Sequence, residues 1–378
     1  MYDCTTVNGC RTPVGKNVGG GSGDPPIVGV ARPADPSDPE LKVWVKDPRN
    51  PIHIDGAPPT YSGPSNLWQR SDGKVDFVMI LGDKTGLFQS ADPALHNWTL
   101  VNPEFFPKRG GGGGMFFPLP DGGGGTSGYT HFLQADYYGD GTGYFALGTY
   151  IEDAETFTGV SASPVSIDLS SAFHFVELGY REDGKTLVNS GWVGGVGTSI
   201  TREIGWDAEL EVLTSMPVPE VAALRQKVIG MVGSAVPLGP GQPRQIAASG
   251  AAVADLELFV KVPATPVKLT LDICDGAVSL VLEVGVTNRS TGRRTVALGG
   301  NVPTMRPKSS FQLKGGESGL AIRALMDTSF VELFVAGGRA MVSAPGAVLA
   351  APGAVTIAAD APGAVLVNAT IWSMGSAL

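Results

Sequence analysis

Residues Gly29-Val30-Ala31-Arg32-Pro33-Ala34-Asp35-Pro36 return in altered form as Gly86-Leu87-Phe88-Gln89-Ser90-Ala91-Asp92-Pro93, 57 positions further on. Each copy then runs to a tryptophan, Trp44 in the first and Trp98 in the second. An internal echo restricts the fold, because each copy is one supersecondary unit that completes its core against a neighbour. Between the copies, residues 75–82 form an apolar run with strand character that ends at Gly82-Asp83. Residues 143–150 and 173–180 have the same aromatic-rich character. Such strands at a period of about 50 residues, separated by Asp/Gly turns, match the four-stranded blades of a β-propeller. An ordinary β-sandwich with chance similarity is the competing arrangement. The paired Ala-Asp-Pro…Trp segments favour the propeller.

The second half reads differently. Short apolar/polar alternations at residues 256–262, 268–273, 279–286, 319–326, 330–335 and 365–372 are separated by turns at Asp275-Gly276, Gly315-Gly316 and Gly337-Gly338. That pattern predicts an antiparallel β-sandwich. One helix is predicted, over residues 219–227, with Pro219 and Glu220 in its first turn and Arg225 and Lys227 in its last. The expected organisation is therefore a poorly ordered Gly-rich start over residues 1–25, a propeller over 26–229, a Gly/Pro-rich linker over 230–244 and a sandwich over 245–378. Fold class is all-β, and 378 residues suffice for two cores.

Charge and cysteine content narrow the function classes. A net charge of −9 without any Lys/Arg cluster argues against nucleic acid and anionic membranes. No apolar run reaches transmembrane length, and residues 1–6 have neither the basic nor the apolar region of a signal peptide. Cys4, Cys10 and Cys274 are an odd number and build no complete disulfide framework. Cys4 and Cys10 either pair, bind metal or are incidental thiols, the last being favoured. No zinc spacing, Ser-His-Asp arrangement or nucleotide fingerprint is present, so no cofactor and no metal are expected. Gly110–Gly114 and Gly122–Gly125 read as flexible loops, since polyglycine has nothing to bury and the highest ordering entropy. A phosphate cradle would need a following Lys-Ser/Thr and a helix, which are absent.

Residues 319–334, Gly-Leu-Ala-Ile-Arg-Ala-Leu-Met-Asp-Thr-Ser-Phe-Val-Glu-Leu-Phe, resemble the "LRVLVDxSxVEVF" run in the sandwich of glycoside hydrolase family 32, the invertase and fructan-hydrolase family. Gly337-Gly338-Arg339 stands at that family's hairpin, and residues 371–377 are similar to the plant-type ending "WxMNSA". Thr201-Arg202-Glu203-Ile204 and Pro217-Val218-Pro219-Glu220 resemble its propeller-to-sandwich junction. So does Asp38-Pro39…Trp44-Val45-Lys46…Asn50-Pro51 in the propeller. The resemblance covers nearly the whole chain from Gly29. It implies a five-bladed propeller followed by a sandwich, and hydrolysis of sucrose or fructans. Family members are longer at the N-terminus, where a first blade carries the "NDPNG" segment with its nucleophilic Asp. The expectation is that this blade is largely missing here, through truncation of the gene product or in a silent binding or interaction protein. The propeller edge then lies open to self-association. Members are typically secreted or vacuolar, and the compartment of this chain is undetermined.

The family's chemistry needs a nucleophilic and a proton-donating carboxyl group about 5–5.5 Å apart, tuned to titrate differently. A third carboxylate, in an "RDP" motif, holds sugar hydroxyls. The resemblance places RDP on Ser62-Gly63-Pro64, with Trp68 as the aromatic four residues beyond the proline. The acid/base of the "WEC" motif precedes an aromatic-Pro strand, and here Gly113-Gly114-Met115 runs directly into Phe116-Phe117-Pro118. No family carboxylate is carried over. Glu104, in Asn102-Pro103-Glu104-Phe105, is the substitute acid/base candidate, against the alternative of a solvated loop carboxylate. Ser62, Trp68 and Trp192 are the candidate sugar-binding residues; the tryptophans serve equally well as blade core. His131 and His174 read as packed or surface histidines, and Asp168 falls near the family's Asp-Tyr-Gly turn.

Overall fold

The computed structural model describes residues 2–3, 27–38, 42–54, 64–81, 84–107, 114–137, 142–160, 165–166, 168–181, 183–194, 196–248, 253–328, 330–345 and 353–375. The chain forms two compact units: residues 1–124, 128–165 and 175–177 in the first, and residues 125–127, 166–174 and 178–378 in the second.

The first unit holds two four-stranded antiparallel sheets of blade type. One runs β1 (Trp68–Gln69), β2 (Val75–Leu81), β3 (Lys84–Ser90) and β4 (Thr99–Phe106), in that spatial order. The other runs β5 (Met115–Pro118), β6 (His131–Tyr137), β7 (Thr142–Ile151) and β8 (Thr156–Thr158), with Val165–Ser166 added to β7. Neighbours in sequence pair with neighbours in space, which is the meander that Asp/Gly turns between apolar runs dictate.

The internal echo is a hairpin used twice. In the first copy Ala31–Pro33 pairs with Trp44–Lys46, Pro33 opposite Trp44. In the second, β3 pairs with β4, Gln89 opposite Thr99, one residue past Trp98. The turn aspartate does the same work in both. Asp35 Oδ1 accepts from Ser37 N and Asp92 Oδ1 from Ala94 N, each at 2.8 Å, the local bond that lets Asp begin a turn. The copies differ in burial: Trp98 lies in a core with Phe77 and Phe88, whereas Trp44 is exposed.

The second unit holds one further blade-type sheet and a sandwich. The sheet runs β9 (Phe173–Tyr180), β10 (Leu187–Val193), β11 (Arg202–Asp207) and β12 (Val212–Pro217), with Gly197–Thr198 added to β10. After it come β13 (Arg225–Val232), β14 (Arg244–Ala247), β15 (Ala254–Lys261), β16 (Val267–Ile273), β17 (Val278–Thr287) and β18 (Arg294–Asn301). They are followed by β19 (Ser310–Leu313), β20 (Gly319–Asp327), β21 (Phe330–Val335), β22 (Ala340–Pro345), β23 (Val355–Ala359) and β24 (Ala364–Met374). One layer has the order β13-β24-β15-β20-β21-β22 and the other β14-β23-β16-β17-β18-β19. Alternate residues such as Leu256, Leu258 and Val260, or Leu269, Leu271 and Ile273, fill the space between the layers. Among the described residues no sheet closes on itself.

One sequence expectation is corrected. The helix expected over residues 219–227 is a 3₁₀ helix, Pro219–Leu224, and Arg225 and Lys227 already belong to β13. Within the stretch expected as a linker, 230–244, the end of β13 and Val236–Leu238 pair with β24. Gly230 is there for close approach, because a Cβ on it would stand 2.4 Å from the Ile246 carbonyl oxygen. Composition suggested looseness where the glycine serves packing.

Candidate functional site

In the first unit the segment leading into β1 lies along β2: Ser65 N donates to Val78 O and Val78 N to Ser65 Oγ, each at 2.9 Å. Asn66 then reaches the other sheet. Its Nδ2 donates to Phe116 O at 2.8 Å and its Oδ1 accepts from Phe116 N at 2.9 Å. A side-chain amide carries the donor and acceptor of a peptide group, so it completes the ladder that the edge strand β5 lacks. The edges β1 and β5 are thereby locked in register.

Below that lock lies an aromatic cluster. Phe116 is 4.9 Å from Trp68, 5.1 Å from His131 and 5.4 Å from Tyr150, ring centre to ring centre. Phe105 and Phe157 pack edge-on to it at 5.2 and 5.3 Å. His131 stacks nearly parallel to Phe116, and its Nδ1 meets Thr130 Oγ1 at 2.9 Å. Burial pushes the imidazole down to about 4, so it is neutral at physiological pH.

A polar knot closes the cluster. Asp76, directly opposite Trp68 in the β1–β2 pair, is fully buried. Its Oδ2 accepts from the Tyr150 hydroxyl at 3.1 Å and lies 3.5 Å from Arg70 Nη1. Burial raises the Asp76 carboxyl above the usual range, and burial together with the Asp76 charge raises the Tyr150 phenol. Glu155 takes Gln89 Nε2 at 3.3 Å and stands 3.8 Å from Arg70. Sequence reasoning missed this knot. Its signal was a lone carboxylate, Asp76, in an otherwise apolar strand, in the position facing a tryptophan.

Of the residues singled out from sequence, Trp68 sits in this cluster, half-buried against Phe116 and Tyr150. Ser62 and its neighbour Gly63 lie outside the described residues, as do Cys4, Cys10 and Gly110–Gly113. Glu104 is on β4, exposed, in an ion pair with Lys84. Three strand spacings, roughly 14 Å, separate β4 from the strand that carries Trp68. Trp192 is on β10 of the second unit, 48% exposed, with its ring 6.2 Å from that of His174. Among the described residues no group of three or more His, Cys, Asp or Glu could hold a metal ion.

Asp168 belongs to a buried clamp in the second unit. Arg202, on β11 and wholly buried, donates through Nη1 to Asp168 Oδ2 at 3.1 Å and through Nη2 to Glu332 on β21. Ser343 on β22 gives its N–H to Asp168 Oδ1 at 2.9 Å and its hydroxyl to Asp168 Oδ2 at 2.7 Å. The guanidinium also lies 4.8 Å from the Phe173 ring centre and 5.3 Å from that of Phe334. Burial raises the Glu332 carboxyl against the opposing pull of Arg202. With both Nη groups of Arg202 and both carboxylates engaged, the geometry is that of a structural fastening.

No family model matches the chain. It is 25% identical over 276 residues to the insoluble β-fructofuranosidase isoenzyme CWINV6 of Arabidopsis thaliana, covering 63% of this chain and 49% of that one. It is 28% identical over 275 residues to β-fructofuranosidase 1 of Zea mays, covering 58% and 40%. The fold agrees with that of fructan 1-exohydrolase IIa from Cichorium intybus, with a TM-score of 0.71 over 92% of this chain and 79% of that one at 20% identity. The chain resembles the invertases and fructan hydrolases of family 32. Its fold is that of family 32, blades of a propeller followed by a β-sandwich, and an exo-inulinase from Aspergillus awamori shows the same likeness at a TM-score of 0.63, 15% identity, covering 89% of this chain and 73% of that one. The chain spans less than half the length of the curated family 32 relatives it matches.

Proposed function

We propose that this chain binds fructosyl carbohydrates on a β-fructofuranosidase scaffold and is impaired in cleaving them. The observation that carries the reading is a mismatch between support and chemistry. Asn66 and Phe116 hold β1 and β5 in register, while the stretches leading into those strands carry Gly63 and Gly113-Gly114 where the resemblance to family 32 would place carboxylates. Retaining hydrolysis needs two carboxyl groups about 5–5.5 Å apart. Asp76 is fully buried and engaged by Tyr150 and Arg70, and Glu104 faces Lys84. Loss of one transition-state contact costs ~3 kcal/mol, two orders of magnitude in rate.

Support for carbohydrate binding comes from the fold neighbours, one of which, a variant of the Cichorium intybus fructan 1-exohydrolase IIa, is described in complex with 1-kestose. The expected result with sucrose or inulin at mildly acidic to neutral pH is no fructose or glucose above a protein-free control, with weak 1-kestose binding by calorimetry. Hydrolysis abolished by Glu104→Gln would instead make Glu104 the acid. Hydrolysis unaffected by Glu104→Gln would refute the site assignment altogether. Self-association belongs to the same reading. Val43, Trp44 and Val45 expose 62%, 54% and 57% of their surfaces on a two-stranded ribbon, and unpaired strand edges of this kind attract further strands. A monodisperse monomer in sedimentation analysis would refute that part.

A further inference from the structure

The second unit contains a cavity of about 470 Å³, within the size range of small-molecule sites. The 3₁₀ helix and the residues before β11 supply Ile200, Val221 and Leu224; the sandwich supplies Leu325, Phe330 and Met374. Val221 and Leu325 are part of a buried cluster with Phe334 and Met341, against which Ile200 and Met374 pack. One side of the cavity is therefore firm core. Met374, packed against that cluster and only half-buried, adds a flexible unbranched thioether to the wall.

Charge is distributed unequally around it. Among the described residues two carboxylates line the cavity, and no Lys, Arg or His does. Glu332 is already committed: one oxygen takes Arg202 Nη2 and the other the Ile200 N–H at 3.0 Å. Asp327, exposed at the end of β20, is not committed. Its Oδ1 takes the Thr328 N–H at 2.7 Å and the Thr328 hydroxyl at 3.3 Å, and Oδ2 accepts from no described residue. A ligand carboxylate here would face Asp327 with no cation between them, whereas an ammonium group would pair with it. A sugar would leave most of its hydroxyls against aliphatic walls, an expensive way to bury them.

We infer that this cavity is a second ligand site, for a small cationic amphiphile: an apolar body seated against Val221, Leu325 and Met374, with a protonated amine on Asp327. The site is separate from the carbohydrate reading of the first unit and does not depend on it. Hexylamine, hexanol and hexanoate titrated calorimetrically into the full chain near pH 7 test it. Hexylamine is expected to bind at least tenfold more tightly than hexanoate. Asp327→Asn, a change at an exposed carboxylate, is expected to bring hexylamine down to the level of hexanol. Leu224→Trp, which fills the cavity, is expected to weaken all three by tenfold or more, with thermal unfolding confirming the fold of both variants. Equal binding of hexylamine and hexanoate would overturn the proposal. So would an amine preference that survives Asp327→Asn. Displacement of hexylamine by 1-kestose would overturn it as well, by making the cavity part of a carbohydrate site.

Discussion

Lowering the pH should loosen the first unit through His131. The imidazole lies against Phe116 at 5.1 Å and edge-on to Tyr150 at 5.2 Å, and the neighbouring charge of Glu152 does not offset the burial that takes its pKa from 6.5 to about 4. The folded state therefore prefers the neutral ring. Its contribution to stability is fully present above pH 6.5, the value in the unfolded chain, and is lost as the pH falls toward 4, because the unfolded state binds the proton first. The gap is worth about 3 kcal/mol in full, of which about 2 kcal/mol disappears between pH 7 and pH 5. That is a sizeable part of the roughly 5–15 kcal/mol that ordinary domains possess. The assay is urea unfolding at pH 7, 6 and 5 for the natural chain and for His131→Phe, with the loss expected in the difference between them. Asp76, whose carboxyl is raised by burial, changes stability with the opposite sign and is common to both proteins. An NMR titration of His131 with its midpoint near 6.5, or identical pH slopes in the two proteins, would refute the reasoning.

Arg202→Met leaves Asp168 and Glu332 buried without their cation, and a loss of ~3–5 kcal/mol should appear as a large fall in melting temperature. Asn66→Ala removes both bonds to Phe116, at a cost of about 2 kcal/mol, with faster hydrogen exchange at Phe116 as its local signature. Gly338→Ala, at φ +81° with a Cβ 2.3 Å from the Ser215 carbonyl oxygen, should cost on the order of 1–3 kcal/mol in denaturant unfolding.

Strands were readable wherever one rule decided them. Phe173–Tyr180 and Phe330–Val335 are where their apolar runs place them, and Asp275 and Gly276 make the expected turn with positive φ at both residues. The errors fall where two signals competed. Residues 219–227 have helical capping chemistry, yet Arg225 lies over Trp372 at 3.9 Å and pairs with Asp255 at 2.7 Å. Those partners, 147 and 30 positions away, hold residue 225 in a strand, and no local propensity outweighs them. The candidate site was legible only as motif positions. Glu104 was singled out as the carboxylate nearest in sequence to the glycine run before Phe116, and nearness along the chain does not fix which way a side chain faces. Phe105 is buried and Glu104 beside it faces solvent. The Asp76–Tyr150 contact joins residues 74 positions apart, and single-sequence periodicity carries no information at that range.

The Arg202 clamp also dictates an order of events at the ribosome. Asp168 precedes Arg202 in the chain, but Glu332 and Ser343 follow it by 130 and 141 positions. At ~5–20 residues per second, Arg202 waits on the order of ten seconds with Asp168 as its only counter-ion of the clamp. During that interval the sheet of β9–β12 has no dry place to put a guanidinium, so its final packing awaits the emergence of β21 and β22. A nascent chain arrested anywhere before residue 343 would display that sheet unfinished, a state that chaperones and proteases can tell from the completed protein.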